Sequence, residues 1–367
     1  MPREAPDASS CVAPCPRAPS LVLRAEFLLT PNSQQNLAVR QWREENGAAE
    51  RIGRRHEGAI FRFATTPQSN IGQRNSMQRR ALFASAGSVL VLGQPTAIAQ
   101  SRPPDATRAT LATAPIEVTG EWHGSLTPSV LTVVSRMREA SLAGVALKSD
   151  RQPEGVRVDG HASGGPCVWL HFDDRPFAWI ILDVADRAWC QLAYQFGHEL
   201  GHVLSNSWGR DARPANPCQW LEEALVESFM VRGPGCLAES WGRNPPWPGN
   251  TPYSGSIRRY RDDLVTKYEG YAREQNADLN LGVWFRNRRR PLEAGGGIVG
   301  PAREAVSAIR AELEANPAGI EGLGALNRWP GRSGVPLETY LRSWDQSCAE
   351  LGASRRLPGW LRERLLG

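Results

Sequence analysis

The sequence predicts an α+β fold, with a small mixed β-sheet first and a mainly helical second half. Short runs of β-branched and aromatic residues cluster between Ile116 and Val184. Beyond Ser256 apolar residues recur every three or four positions instead. Between these regions lies an apolar-striped segment, Trp189 to Val203, with the period of a helix. A change of period from two to 3.6 along a chain marks a change from strands to helices.

Ile116-Glu117-Val118-Thr119 predicts the first strand, and the apolar spacing from Ser129 to Leu147 a helix. Val156-Arg157-Val158 predicts a second strand. Cys167 to Phe172 and Phe177 to Val184 predict two more, joined by the turn residues Asp173-Asp174-Arg175-Pro176. Of these, Ala178 to Asp183 is the candidate for pairing with an extended substrate as an added strand. The striped helix follows directly, with Trp189, Leu192, Phe196, Leu200 and Val203 toward the core. Gln195, His198, Glu199 and His202 share its other side.

A further, acidic helix carrying Trp220 to Glu227 is expected. Asn216 is placed to cap it, Pro217 suits its first position, and Gln219 sits where a capping-box partner belongs. Gly233 and Pro234 supply a stop. Pro234 to Gly255, rich in Pro, Gly and Trp, predicts a long connection of the kind that lines clefts. Helical patterns then cover Ser256 to Ala272, Leu279 to Arg290, Pro301 to Ala315, Pro336 to Cys348 and Pro358 to Leu366. The basic run Arg288-Arg289-Arg290 reads as a solvated face.

The chemistry is concentrated in His198-Glu199-Leu200-Gly201-His202. Residues four apart on a helix lie one turn above each other, so both imidazoles can hold one metal ion. Glu199 sits beside them. This is the H-E-x-x-H zinc signature, whose glutamate acts as general base in metalloproteases. The setting strengthens it, because no other charged residue lies between Cys190 and Trp208. The metzincin pattern needs Gly and His three and six residues after the second histidine; Ser205 and Trp208 stand there. A carboxylate is therefore expected to complete the zinc shell, leaving one position open.

Trp220-Leu221-Glu222-Glu223-Ala224-Leu225-Val226-Glu227 resembles the glutamate helix of the gluzincins, the thermolysin-like and aminopeptidase-like zinc peptidases. The resemblance runs from Gln195 to about Met230 and singles out no subfamily. It implies a zincin-like two-lobe architecture, with a zincin N-terminal lobe over 100–232 and a helical C-terminal lobe over 233–367. It also implies one catalytic Zn²⁺ held by His198, His202 and Glu223. Glu227 would then orient a ligating imidazole through its other ring nitrogen. Glu222 aligns with the residue before the family's ligand, so its removal is expected to leave zinc in place. The implied activity is hydrolysis of a peptide or protein substrate, with Glu199 as base toward a zinc-bound water. Two alternatives use the same residues: an exported zincin-fold binding protein with structural zinc, and a hydrolase of cell-wall peptides. No histidine follows His202, so a tyrosine among Tyr253, Tyr260, Tyr268, Tyr271 and Tyr340 is expected to stabilise the oxyanion. His123, His161 and His171 lack ligand spacing and read as structural or surface residues.

Met77-Gln78-Arg79-Arg80, the apolar run Ala81 to Gly93 and Ala97-Ile98-Ala99 have the three regions of a signal peptide cleaved after Ala99. The paired arginines resemble a twin-arginine signal. A signal peptide over 77–99 makes Met77 the expected start and residues 1–76 upstream or disordered sequence. It also predicts a periplasmic or secreted protein. Residues 1–99 hold 12 Arg and 7 acidic residues, so the chain's net charge of +5 resides there and the remainder balances at 31 of each sign. That balance gives no case for nucleic-acid binding, and no span long enough for a membrane follows the signal. Cys167, Cys190, Cys218, Cys236 and Cys348 remain, and export predicts that some pair. Joining Cys218 to Cys236 would require the chain to double straight back.

Overall fold

A computed structural model of the chain describes residues 110–161, 165–171, 176–295, 297–298 and 300–367. The upstream segment 1–76, the signal peptide 77–99 and turn residues Asp173 to Arg175 lie outside the described residues. Four strands, β1 (Ile116–Gly120), β2 (Gly155–Gly160), β3 (Cys167–Trp169) and β4 (Phe177–Leu182), form one sheet in the order β1-β2-β4-β3. The first three in that order run parallel, and β3 is antiparallel to β4. Val156, Val158, Ala178 and Ile180 alternate onto the buried face. On the opposite face Arg157 and Trp179 are register partners, with the guanidinium 4.5 Å from the ring centroid. The period-two pattern thus sorts side chains as an amphipathic sheet requires.

Eight α-helices accompany the sheet among the described residues: α1 (Thr127–Leu142), α2 (Trp189–Leu204), α3 (Gln219–Arg243), α4 (Tyr253–Glu274), α5 (Leu281–Ala294), α6 (Ala302–Ala315), α7 (Leu337–Leu351) and α8 (Arg356–Leu366). A 3₁₀ segment, Pro317–Ala325, and a short 3₁₀ turn, Arg332–Gly334, lie between α6 and α7. The chain is therefore mixed α and β, with a small sheet and a mostly helical C-terminal part, consistent with α+β. α3 is the hub, packing against α1, α2, α4 and α6. One continuous apolar core runs from Leu111 to Leu365. No helix among the described residues is long and apolar enough to cross a membrane.

Several expectations need correction. α1 ends at Leu142, not Leu147, because Ala143 is extended and Gly144 follows at φ +71°. α3 begins at Gln219; the Asn216 amide does not cap it but donates to the Ala294 carbonyl at 3.0 Å. Gly233 and Pro234 do not stop it, and it runs on to Arg243. An interior proline costs a helix about 3 kcal/mol. Leu237 and Trp241, fully buried beyond Pro234 and each worth about 1.5–3 kcal/mol, together offset that. Gly233 is needed for packing rather than termination: a Cβ there would lie 2.4 Å from Met137 Cε and 2.6 Å from Ser141 Oγ on α1. The connection after α3 shrinks to Asn244–Pro252, and the lobe boundary expected between 232 and 233 falls inside one helix.

Ala178 to Asp183 cannot receive a substrate strand, because β4 already has β2 on one side and β3 on the other. The edges belong to β1 and β3. None of the five described cysteines forms a disulfide. Cys218 directly precedes the uninterrupted α3 and Cys236 lies within it, about 27 Å further along its axis, a span no disulfide covers. Burial pushes the thiols of Cys167, Cys218 and Cys348 up to about 12, so they stay protonated.

Candidate metal centre

α2 is buried nearly all round rather than on one face. Gln195, expected beside the histidines, is itself buried and fastens α2 to the end of β4: its amide donates to the Asp183 carbonyl at 2.8 Å and accepts from the Asp183 N–H at 3.0 Å. Glycines let the neighbours come close. A Cβ on Gly197 would sit 2.5 Å from Met137 Cε, and one on Gly201 2.8 Å from Val226 Cγ1. α3 therefore lies tight against the turn that bears the histidines. Past α2, Asn206 takes a left-handed φ of 62°, the conformation that ends a helix with least strain for asparagine. Its amide donates to the carbonyls of Gly324 and Leu326.

His198 and His202 stand one turn apart with ring centroids 5.0 Å apart. Their Nε2 atoms face the same Glu223 Oε2, at 3.5 Å and 3.4 Å. One donor atom from each of the three residues lies within 4.8 Å of the others, a grouping able to hold a metal ion. Both outer ring nitrogens are engaged by carboxylates. Nδ1 of His198 meets Glu227 Oε2 at 2.8 Å, and Nδ1 of His202 meets Glu222 Oε1 at 3.0 Å. Two imidazole nitrogens and one carboxylate oxygen converging, with the outer nitrogens so held, is a donor set of the kind that suits a zinc ion.

Each carboxylate has its own support. Glu227, fully buried, accepts hydrogen bonds from the hydroxyls of Tyr268 at 2.6 Å and Tyr194 at 3.2 Å. Glu223 accepts from the Gln219 amide at 3.0 Å, and Gln219 in turn accepts from Ser333 Oγ at 3.2 Å. Glu199 is buried beside the cluster, where the backbone at Val168 on β3 favours its ionised form.

The charge states follow from these contacts. Burial raises the Glu199 carboxyl above its ordinary value, only partly offset by His198 and His202. Burial disfavours a proton on His198, but hydrogen bonds to Glu223 and Glu227 overcome it and push the imidazole up to about 10. His202 is raised in the same way against burial, by the Glu223 charge and the Glu222 hydrogen bond. Glu223 is lowered despite burial by the two facing imidazoles.

All the residues expected at the site, His198, Glu199, His202, Glu223 and Glu227, come together. Sequence reasoning missed Tyr194, although its place four residues before His198 put it on the same side of the helix. It also missed the part played by Glu222, which holds an imidazole. The tyrosines divide. Tyr268 and Tyr340 are buried, with their hydroxyls engaged by Glu227 and by Asn327 Oδ1, so neither is free to meet an oxyanion. Tyr253 meets Cys190 Sγ at 3.4 Å, Tyr260 packs edge-on against Tyr194, and Tyr271 lies under Arg303. His171 is structural: it stacks on Phe177, and its Nε2 lies 2.8 Å from the Phe177 carbonyl. Compared with models of known protein families, with curated proteins and with solved structures, the chain matches none of them.

Proposed function

We propose that the chain is an exported zinc-dependent peptidase of gluzincin type, hydrolysing peptide bonds with Glu199 as general base. The observation that carries this reading is the convergence of two imidazole nitrogens and the Glu223 carboxylate on one point, with a buried carboxylate, Glu199, alongside. Zinc in that position would polarise a carbonyl and lower the pKa of water at the open coordination site. His198, His202 and Glu223 are the residues that would hold it. Glu199 takes the proton from the attacking water and passes it to the leaving amine. Its raised pKa suits the first step, since a stronger base accepts the proton more readily. The edge strand β3 packs against α2, the helix that carries the histidines. An extended peptide adds there as a further strand, with main-chain hydrogen bonds setting its direction.

A binding protein with structural zinc has no use for Glu199, whereas a peptidase needs it. Metal analysis of the purified chain is expected to give one zinc per molecule. Glu199→Gln is expected to keep that zinc and the fold while lowering turnover of a peptide library at least about a hundredfold. Zinc-loaded wild type that cleaves nothing in a broad peptide library would sink the peptidase reading. Zymography on casein and on peptidoglycan sorts protein substrates from cell-wall peptides.

A further inference from the structure

Apart from Ser207, the support of Glu222 comes from a part of the chain more than a hundred residues away. Glu222 is buried, and its two oxygens have different partners. Oε1 faces Nδ1 of His202 at 3.0 Å, while Oε2 accepts from Asn327 Nδ2 at 2.9 Å. The same Nδ2 lies 3.2 Å from the Ser205 carbonyl and 3.2 Å from Ser207 Oγ, both just past the end of α2. Asn327 is wholly buried and adopts φ 59°, a conformation asparagine tolerates better than most residues. Tyr340 donates to its Oδ1 at 3.4 Å. Arg332 donates to Ser207 Oγ at 2.7 Å and to the Asn327 carbonyl at 3.3 Å.

From this geometry we infer that Asn327 is a positioning residue for the metal centre, acting through Glu222 on His202. The inference rests on the zinc reading and goes beyond it, because it assigns a share of metal affinity to the segment between α6 and α7. Glu222 directly precedes Glu223, so a carboxylate left loose there competes with its neighbour for a cation. Asn327 can only donate to it from Nδ2, which fixes the carboxylate with Oε1 toward the imidazole. An Nδ1–H donated to that oxygen leaves the Nε2 lone pair of His202 for metal. Because Nδ2 also reaches Ser205 and Ser207, one side chain sets α2 and α3 against each other at the His202 end.

Zinc affinity, read by competition with a chelating dye, tests this without recourse to turnover. Asn327→Gly keeps the positive φ accessible and removes the amide. It is expected to bind zinc about tenfold to a hundredfold more weakly, in the range usual for lost outer partners of a ligand. Glu222→Gln is expected to weaken zinc similarly, and the double variant no more than either alone, since both remove one chain of contacts. Losses that multiply in the double variant would show that Asn327 acts only through general folding and would overturn the proposal. So would wild-type affinity in a folded Asn327→Gly. If that variant does not fold, Asn327→Asp replaces it: it keeps the size and the Tyr340 contact but turns a donor into an acceptor facing Glu222. Weaker zinc binding is expected there too, and unchanged binding overturns the inference. Wild type that binds no zinc defeats the zinc reading itself, whereas wild-type binding with an indifferent Asn327 defeats this inference alone.

Discussion

Glu222 and Glu223 are consecutive, yet their surroundings give them different work. Glu223 faces both Nε2 atoms, while Glu222 faces one Nδ1 and a buried amide. Glu223→Gln removes the only carboxylate among the three converging donors and is expected to abolish tight zinc binding. Glu222→Gln and Glu227→Gln leave that set complete but loosen one imidazole each. They are expected to weaken zinc about tenfold to a hundredfold, as isothermal titration would report. Sequence alone led to the expectation that zinc would survive loss of Glu222 untouched; the hydrogen bond to His202 alters that. Protonation gives a second handle. In the metal-free chain His198 is raised from an ordinary value of about 6.5 to about 10. A raised folded value means that the proton-linked stability is fully present below about pH 6.5 and lost as pH rises through about 10. The urea midpoint of metal-free protein is therefore expected to fall across that window. Zinc affinity is expected to rise across it, because the proton must leave before metal binds. A midpoint that rises over the same range would show that the His198 contacts do not hold in solution.

At the scale of elements, the arrangement depends on how closely α2 and α3 approach. Gly201 lies within the histidine motif, and a methyl group there would meet Val226 Cγ1 at 2.8 Å and Phe229 Cδ1 at 3.2 Å. Both neighbours are fully buried, so neither yields cheaply. Gly201→Ala is expected to destabilise the fold by about 1–3 kcal/mol, the usual cost of overpacking, and to displace His202 from Glu223. Thermal unfolding monitored by circular dichroism, with zinc content measured alongside, checks both effects. Unchanged stability and zinc content would mean that the helices can separate without cost. This contact also marks where the sequence was legible. The stripe Leu192, Phe196, Leu200 and Val203 and the four-residue spacing of the histidines foretold α2, because both are local periodicities. The path of α3 beyond Gly233 and Pro234 was not legible, since those residues signal a stop locally and only tertiary burial overrides them. The placement of β4 inside the sheet was hidden for a similar reason. Its apolar run says that it is buried, but strand order depends on partners distant in sequence. Asn327 carried no local signal at all.

For the whole molecule, the question is whether two halves behave as two. The converging donors and Glu199 lie between residues 198 and 223, yet the groups that hold them come from further on. Tyr268 holds Glu227, Asn327 holds Glu222, and Ser333 reaches Glu223 through Gln219. α3 runs unbroken across the expected boundary, and the apolar core is continuous from Leu111 to Leu365. Separating the C-terminal helices from the sheet would strip α3 of its packing against α4 and α6 and expose the supports of all three donors together. Unfolding is therefore expected to be a single cooperative transition. Metal bound only by the folded state adds RT ln(1 + [L]/Kd), about 4.1 kcal/mol at free zinc a thousandfold above Kd. That increment is expected to raise the Tm of the whole transition by roughly 8–16 °C, and a chelator to reverse it. Differential scanning calorimetry with and without zinc measures this directly. Two resolved transitions, only one of them moved by zinc, would show that the C-terminal helices fold apart from the centre. The tyrosine, asparagine and serine supports would then be incidental contacts rather than parts of one metal-linked structure.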